Sequence, residues 1–263
     1  MSSSALDRIL ADKRARLARG EYAPVAAAGR PTDGARFIAS LREPGVRIIA
    51  EFKARSPSAG EIVPGADGKV ESFALAYRRG HAAAISVVIE EDHFGGRGDW
   101  LPRAKRISGL PALMKDFVIS ERQLDFAVSL GADAVLLIAS ALDDADLRRL
   151  REGARGRGLS VLVEAHEESE VRRAVAVAPD AIGANARDLA TFRTDLGAAE
   201  SLVRAIPDGP VRVAESAIRN RADVERLSAA GFQAFLVGEA LLRAEDPEEA
   251  LRDLVRDRPA SAS

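Results

Sequence analysis

The sequence predicts an α/β protein, a (β/α)8 TIM barrel with extra N-terminal helices, on three observations. Eight short apolar runs recur along the chain. Charged segments with helical periodicity separate most of them. The length of 263 residues suits one closed barrel better than an open doubly wound sheet. Strands that alternate with helices imply right-handed βαβ units and therefore a parallel sheet.

Taken in order, Leu6, Ile9, Leu10 and Leu17 fall on one stripe among Lys, Arg and Asp, so Ala5–Arg19 reads as an amphipathic helix. Tyr22–Gly29 is a Pro/Ala/Gly connector, and Asp33–Leu41 a second short helix broken by Pro44 and Gly45. Both helices precede the first strand and read as an added lid or plug. Residues 1–45 are thus expected to form an extension packed on a barrel of residues 46–258, with 259–263 a frayed tail. The expected strands are Arg47–Phe52, Ala83–Ile89, Ala112–Lys115, Ala134–Ile138, Ser160–Glu164, Ala181–Gly183, Val211–Glu215 and Ala234–Val237. Helices are expected at Val70–Arg79, Glu121–Leu130, Asp143–Arg155, Glu167–Val177 and Asn220–Ala229, the second and sixth units being the least regular. Gly80, Gly131, Gly158 and Gly231 punctuate the returns from helix to strand.

Composition removes several function classes. A net charge of −2 offers nothing to nucleic acid, and zero cysteines exclude disulfides, thiolate metal sites and a cysteine nucleophile. His81, His93 and His166 are widely scattered, so neither a zinc site nor a serine–histidine triad is expected. No apolar run approaches the roughly 20 residues that span a bilayer, and no signal region opens the chain, so the expectation is a cytoplasmic protein without membrane contact. Gly65–Lys69 is too short for a Walker loop. Arg148, Arg149 and Arg151 read as a solvated helix face, and His93 as a solvent-side residue.

The strand ends are where chemistry shows. In a parallel barrel, functional groups sit at the C-terminal ends of strands and in the loops that follow. Those positions hold Glu51 and Lys53, then Glu90, Lys115, Glu164, Asn185 with Arg187, Glu215 with Ser216, and Gly238. Glu51 and Lys53 share one strand face because side chains alternate. So many ionisable groups amid Val/Ile/Leu/Ala-rich strands are costly to bury unless a ligand or a reaction uses them. A partly desolvated lysine can act as a general acid, and facing carboxylates can take a proton or stabilise a developing cation. Ser56, Ser216 and Gly238 mark loops where barrels bind phosphate through backbone amides.

The stretches IIAEFKARSPSAG (48–60), LMKDFVIS (113–120), LVEAH (162–166), IGANARDLATF (182–192), VAESAI (213–218) and FLVGEALLR (235–243) closely resemble the indole-3-glycerol phosphate synthase family. ILADKRARLA (9–18) resembles that family's extra N-terminal helix. The resemblance implies a (β/α)8 carbon-carbon lyase of tryptophan biosynthesis. Such an enzyme closes and decarboxylates 1-(2-carboxyphenylamino)-1-deoxyribulose 5-phosphate to indole-3-glycerol phosphate, carbon dioxide and water, using neither metal nor organic cofactor. It further implies that Lys115 is the general acid for ring closure and that Glu164 stabilises the cationic intermediate. Lys53 and Glu51 serve the dehydration, Asn185 and Arg187 orient the substrate, and Glu215 is a further active-site carboxylate. Ser56, Ser216 and Gly238 match phosphate ligands, and Phe94, Phe117 and Leu236 the apolar walls around the anthranilate ring. The implied partner is a small phosphosugar substrate, with a monomer as the expected state and association with neighbouring pathway enzymes left open.

Two departures from the family pattern stand out. Ala217 occupies a position where the family usually has Gly, and Ala184 and Ala186 replace a larger aliphatic residue and a second Asn. They motivate an alternative, a paralogue closing a modified anthranilate-derived substrate. A catalytically silent phosphosugar-binding protein is disfavoured by the retained Glu51, Lys53, Lys115 and Glu164. Phosphoribosylanthranilate isomerase is disfavoured because its usual cysteine base has no counterpart here.

Overall fold

Eight parallel strands close on themselves in the computed structural model, which describes residues 4–25, 31–186 and 195–256. They are β1 Arg47–Phe52, β2 Ala84–Val88, β3 Ala112–Lys115, β4 Ala134–Ile138, β5 Ser160–Ala165, β6 Ala181–Asn185, β7 Val211–Glu215 and β8 Ala234–Val237. Each strand pairs with its sequence neighbours, and β8 closes the ring onto β1 with Ile48 beside Phe235. Glycine and side-chain caps delimit the helices. Ser120 and Gln123 form a capping box at the helix Glu121–Leu130, and Gly131 ends that helix in the left-handed region. β6 runs two residues beyond the expected Gly183 because Ala184 and Asn185 keep their register with Ala214 and Glu215.

Strand alternation divides the apolar residues into two cores. One face of the strands, with Ile48, Ala50, Phe52, Ile85, Val87, Ile182 and Ala184 among its members, packs outward against the helices. The other face, with Ile49, Leu113, Leu136, Leu162, Val213 and Leu236, fills the barrel. The alternation therefore delivers residues 51 and 53, 115, 164, 185 and 215 to the inward side, above the apolar filling.

The N-terminal helices sit at opposite ends of this barrel. α2 (Gly34–Arg42) inserts Phe37 and Leu41 against Ala83, Ala84, Ala134, Ala181 and Ala234, whose small side chains leave room for them. Burying Phe37 completely is worth about 2–3 kcal/mol. Ser160 Oγ donates to Gly34 O at 2.9 Å, fixing this plug at the start of β5. α1 (Ala5–Ala18) lies instead across the mouth at the C-terminal ends of the strands, where Ala5, Leu6 and Ile9 reach the central cavity. Its buried side chains are Ile9, Leu10, Lys13 and Arg16, whereas Leu6 and Leu17 are only partly covered. The buried face thus differs from the expected leucine stripe: two cations are drawn in because acidic groups await them on the barrel. The tail 259–263 lies outside the described residues.

Candidate active site

The C-terminal ends of the strands surround a cavity of about 550 Å3. β1 contributes Glu51 with Lys53 just beyond it, β3 ends in Lys115, β5 carries Glu164, β6 ends in Asn185 and β7 in Glu215. All three carboxylates are nearly inaccessible, while the side chains of Lys53 and Lys115 stay 16% and 19% exposed and face the cavity. Lys53 Nζ donates to Glu51 Oε1 at 2.7 Å. Lys115 Nζ donates to Glu215 Oε2 at 2.9 Å and lies 3.6 Å from Glu51 Oε2 and 3.7 Å from Glu164 Oε2. One ammonium thus meets a carboxylate from each of three strands.

Two glycines create the space for this cluster. A β-carbon at Gly183 would fall 2.0 Å from Glu215 Oε1, so no larger residue fits opposite that carboxylate. At Gly238 a β-carbon would come within 2.8 Å of Glu51 Oε1 and 3.3 Å of Lys53 Nζ. Gly238 therefore makes room for the Glu51–Lys53 pair as well as facing the cavity.

Charge balance sets the protonation states. Burial works against the charge on Lys115, but Glu215, Glu51 and Glu164 outweigh it and hold the ammonium well above its ordinary range. Burial pushes Glu51 up, yet Lys53 and Lys115 prevail and keep it below the usual carboxylate range. Glu164 is likewise held well below that range, by Lys115 first and then by His166, with a hydrogen bond from Asn185 adding to both. Three carboxylates share two lysines, and Glu215 takes up the imbalance. Its burial raises it to about 7, Lys115 opposing and the neighbouring Glu164 carboxyl reinforcing the rise.

Below Glu164 stands a group that the sequence reading treated only as scattered. His166 Nε2 lies 3.2 Å from Glu164 Oε1 and its Nδ1 3.4 Å from Glu170 Oε2. Burial depresses the imidazole, but the two carboxylates push it up to about 10, so it is an imidazolium at neutral pH. Its position two residues beyond a strand-end carboxylate was the available signal.

The rest of the cavity separates into an apolar slot and a polar end. The rings of Phe94 and Phe117 pack against each other, centroids 6.1 Å apart and tilted by 40°, and Leu136, Ile138 and Leu236 continue the apolar lining. At the other end Ser56, Ser58, Ser216 and the loop after β8 line the wall. Ser216 and Ala217 both adopt positive φ, 67° and 63°, so Ala217 holds the left-handed backbone that a glycine would take freely. Arg219 and Arg243 also reach this end, beside Asp223 and Glu239. Sequence reading passed over both arginines, although each lies in or beside a motif it used. Glu90, expected as a strand-end reactive group, instead accepts the backbone amides of His93 and Phe94 at 2.8 and 2.9 Å and so shapes the loop carrying Phe94. Ala184 and Ala186 point into the outer core, away from the cavity. Arg187 lies outside the described residues.

Comparison with known proteins agrees with this arrangement. The family model described as Indole-3-glycerol phosphate synthase matches residues 6–254. The Indole-3-glycerol phosphate synthase of Koribacter versatilis is 40% identical over 260 residues, covering 96% of this chain and 99% of that protein. Indole-3-glycerol phosphate synthase 2 of Streptomyces coelicolor is 43% identical over 243 residues, covering 92% and 93%. Among solved structures, a 3-hexulose-6-phosphate synthase aligns with a TM-score of 0.60 at 16% identity, over 80% of this chain and 98% of that one. That last likeness speaks to the barrel fold alone. A family match over nearly the whole sequence, with relatives aligned across almost their entire length, means that the chain belongs to the indole-3-glycerol phosphate synthase family.

Proposed function

We propose that the protein closes and decarboxylates 1-(2-carboxyphenylamino)-1-deoxyribulose 5-phosphate, giving indole-3-glycerol phosphate, carbon dioxide and water. The observation that carries this reading is Lys115: a charged, cavity-facing ammonium within 3.7 Å of carboxylates from three strands. The aryl ring lies against the apolar wall that Phe94 and Phe117 form together, and the phosphate lies at the Ser56, Ser216 and Gly238 end. Lys115 carries its proton at neutral pH and donates it to the substrate carbonyl oxygen as the ring carbon bearing the carboxylate attacks the carbonyl carbon. A carbon–carbon bond forms, and the ring becomes cationic. Glu164 stabilises that cation across the cavity. Loss of carbon dioxide returns the bonding electrons to the ring. Lys53 protonates the departing hydroxyl, and Glu51 accepts a proton as water leaves. Asn185 holds Glu164 by a hydrogen bond, Arg187 orients the substrate carboxylate, and Glu215 balances the charge of Lys115. The protein acts as a monomer, with residues 1–45 as an extension on the barrel.

The modified-substrate alternative rested on Ala184, Ala186 and Ala217. The first two do not line the cavity, and Ala217 keeps the backbone expected of glycine, so the ordinary substrate is preferred. The test mixes the protein with that substrate and follows indole absorbance and fluorescence, beside Lys115→Ala. Turnover abolished in the variant supports the assignment, whereas a folded wild-type protein that binds the substrate without forming indole refutes it.

A further inference from the structure

Lys13 is a charged residue on the inner face of α1 and only 1% exposed. Its ammonium donates to Tyr22 Oη at 2.7 Å, pairs with Asp116 Oδ1 at 2.7 Å, and lies 3.7 Å from Glu90 Oε1. Glu90 Oε1 has no hydrogen-bond partner among the described residues, so the cation is what offsets its burial. Tyr22 in turn donates to Asp116 Oδ2 at 3.0 Å. A buried lysine can be mere packing, but the other contacts of its two acids are unusual. Glu90 accepts the amide of Phe94 at 2.9 Å, and Asp116 accepts the amide of Phe117 at 2.8 Å. The backbone of each ring in the aromatic pair is therefore anchored by a carboxylate, and the two carboxylates meet on one ammonium supplied by the N-terminal helix.

We propose that Lys13 is a positioning residue that sets the placement of the paired Phe94 and Phe117 rings in the apolar slot, making α1 part of the recognition of the substrate's aryl ring. The proposal rests on the functional reading above, which places that ring in the slot. Without the cation, two buried carboxylates at the slot's edge repel each other or take up protons, and the loops carrying the rings separate. Two further contacts hold α1 in place: Arg16 with Glu91 and Asp92 at 2.5 and 3.2 Å, and Asp12 with His93 at 3.0 Å. Neither reaches an amide of the slot, which singles out Lys13.

The test is steady-state kinetics of the full chain on the carboxyphenylamino-deoxyribulose phosphate, with thermal unfolding measured beside it. Lys13→Met strands two buried acids, so two companion variants accompany it. K13M/E90Q/D116N keeps acceptors for both amides but removes the charged link to α1, and Tyr22→Phe removes only the shared hydroxyl. For folded Lys13→Met or the triple variant, KM is expected to rise about tenfold while kcat changes less than about threefold, the pattern of lost ring binding. Tyr22→Phe is expected to raise KM about threefold, as for one hydrogen bond. Melting points that fall while KM stays at the wild-type value in all three variants overturn the proposal and leave Lys13 a structural residue. Absence of turnover by the wild type overturns the assigned reaction and this proposal with it.

Discussion

A β-carbon on Gly183 would stand 2.0 Å from Glu215 Oε1, so the sixth strand of the barrel is hollowed out to receive a carboxylate from the seventh. That carboxylate accepts from Lys115 at 2.9 Å. The glycine thus acts on the reaction through two side chains, neither its own. Gly238 does the same for Glu51 and Lys53. Close backbone approach, and not backbone freedom, is what these two positions require.

Gly183→Ala should therefore displace Glu215 and disturb Lys115. Overpacking of this kind costs about 1–3 kcal/mol, and the misplaced acid should lose activity by at least about tenfold. Chemical denaturation and indole formation rates check both parts. A folded variant with the wild-type rate would show that Lys115 does not need Glu215 where it lies.

Lys115→Ala removes the cation that three strand-end carboxylates share. Loss of a general acid costs about 10^2–10^4-fold in kcat. The charge argument adds a second, separable effect. Glu51, Glu164 and Glu215 must then bind additional protons, so folding of the variant should take up more protons near neutral pH than folding of the wild type does. Calorimetry in buffers of different ionisation enthalpy measures that uptake, and a difference of zero between the proteins counts against the charge balance drawn here.

Much of the site could be read along the chain because strand alternation is strict. Once Ile49 was assigned inward, Glu51 and Lys53 had to follow, and the same parity carries Lys115 from Leu113 and Glu215 from Val213. What alternation cannot supply is which distant element meets which. Lys13 sits on the helical stripe of Leu6, Leu10 and Leu17, a visible irregularity, but Glu90 and Asp116 lie far away in sequence. The N-terminal helices looked alike as additions to the barrel. Only three-dimensional packing reveals that alanines at the strand starts admit Phe37 of α2 at one end, while acids at the other end draw in α1. His166 was passed over for a related reason: its importance comes from Glu170, one helical turn on, and from Glu164 behind it.

Ala217 supplies a prediction with an unusual sign. At an ordinary position Ala→Gly costs about 0.5–1 kcal/mol, because the unfolded chain gains freedom. Ala217 has φ of 63°, where a β-carbon is strained by roughly 1–2 kcal/mol. Ala217→Gly should leave stability unchanged or raise it by up to about 1 kcal/mol, and urea midpoints decide the matter. A loss of the ordinary size would show that this loop relaxes into another conformation.

The last prediction concerns His166 and pH. Burial lowers the imidazole's affinity for a proton, but Glu164 and Glu170 raise its folded value to about 10 from an ordinary 6.5. The folded state therefore binds a proton more tightly than the unfolded state does. Its contribution to stability is fully present below pH 6.5 and is lost as pH rises through about 10. Each unit of difference is worth about 1.4 kcal/mol, which sets an upper bound of a few kcal/mol on the fall across that window. The quantity to measure is the wild-type curve minus that of His166→Gln. This difference should be largest near pH 6 and decline steadily toward pH 10. A difference that stays flat over the whole range would mean that folding leaves the imidazole at its ordinary proton affinity and that Glu164 owes its low proton affinity to Lys115 and Asn185.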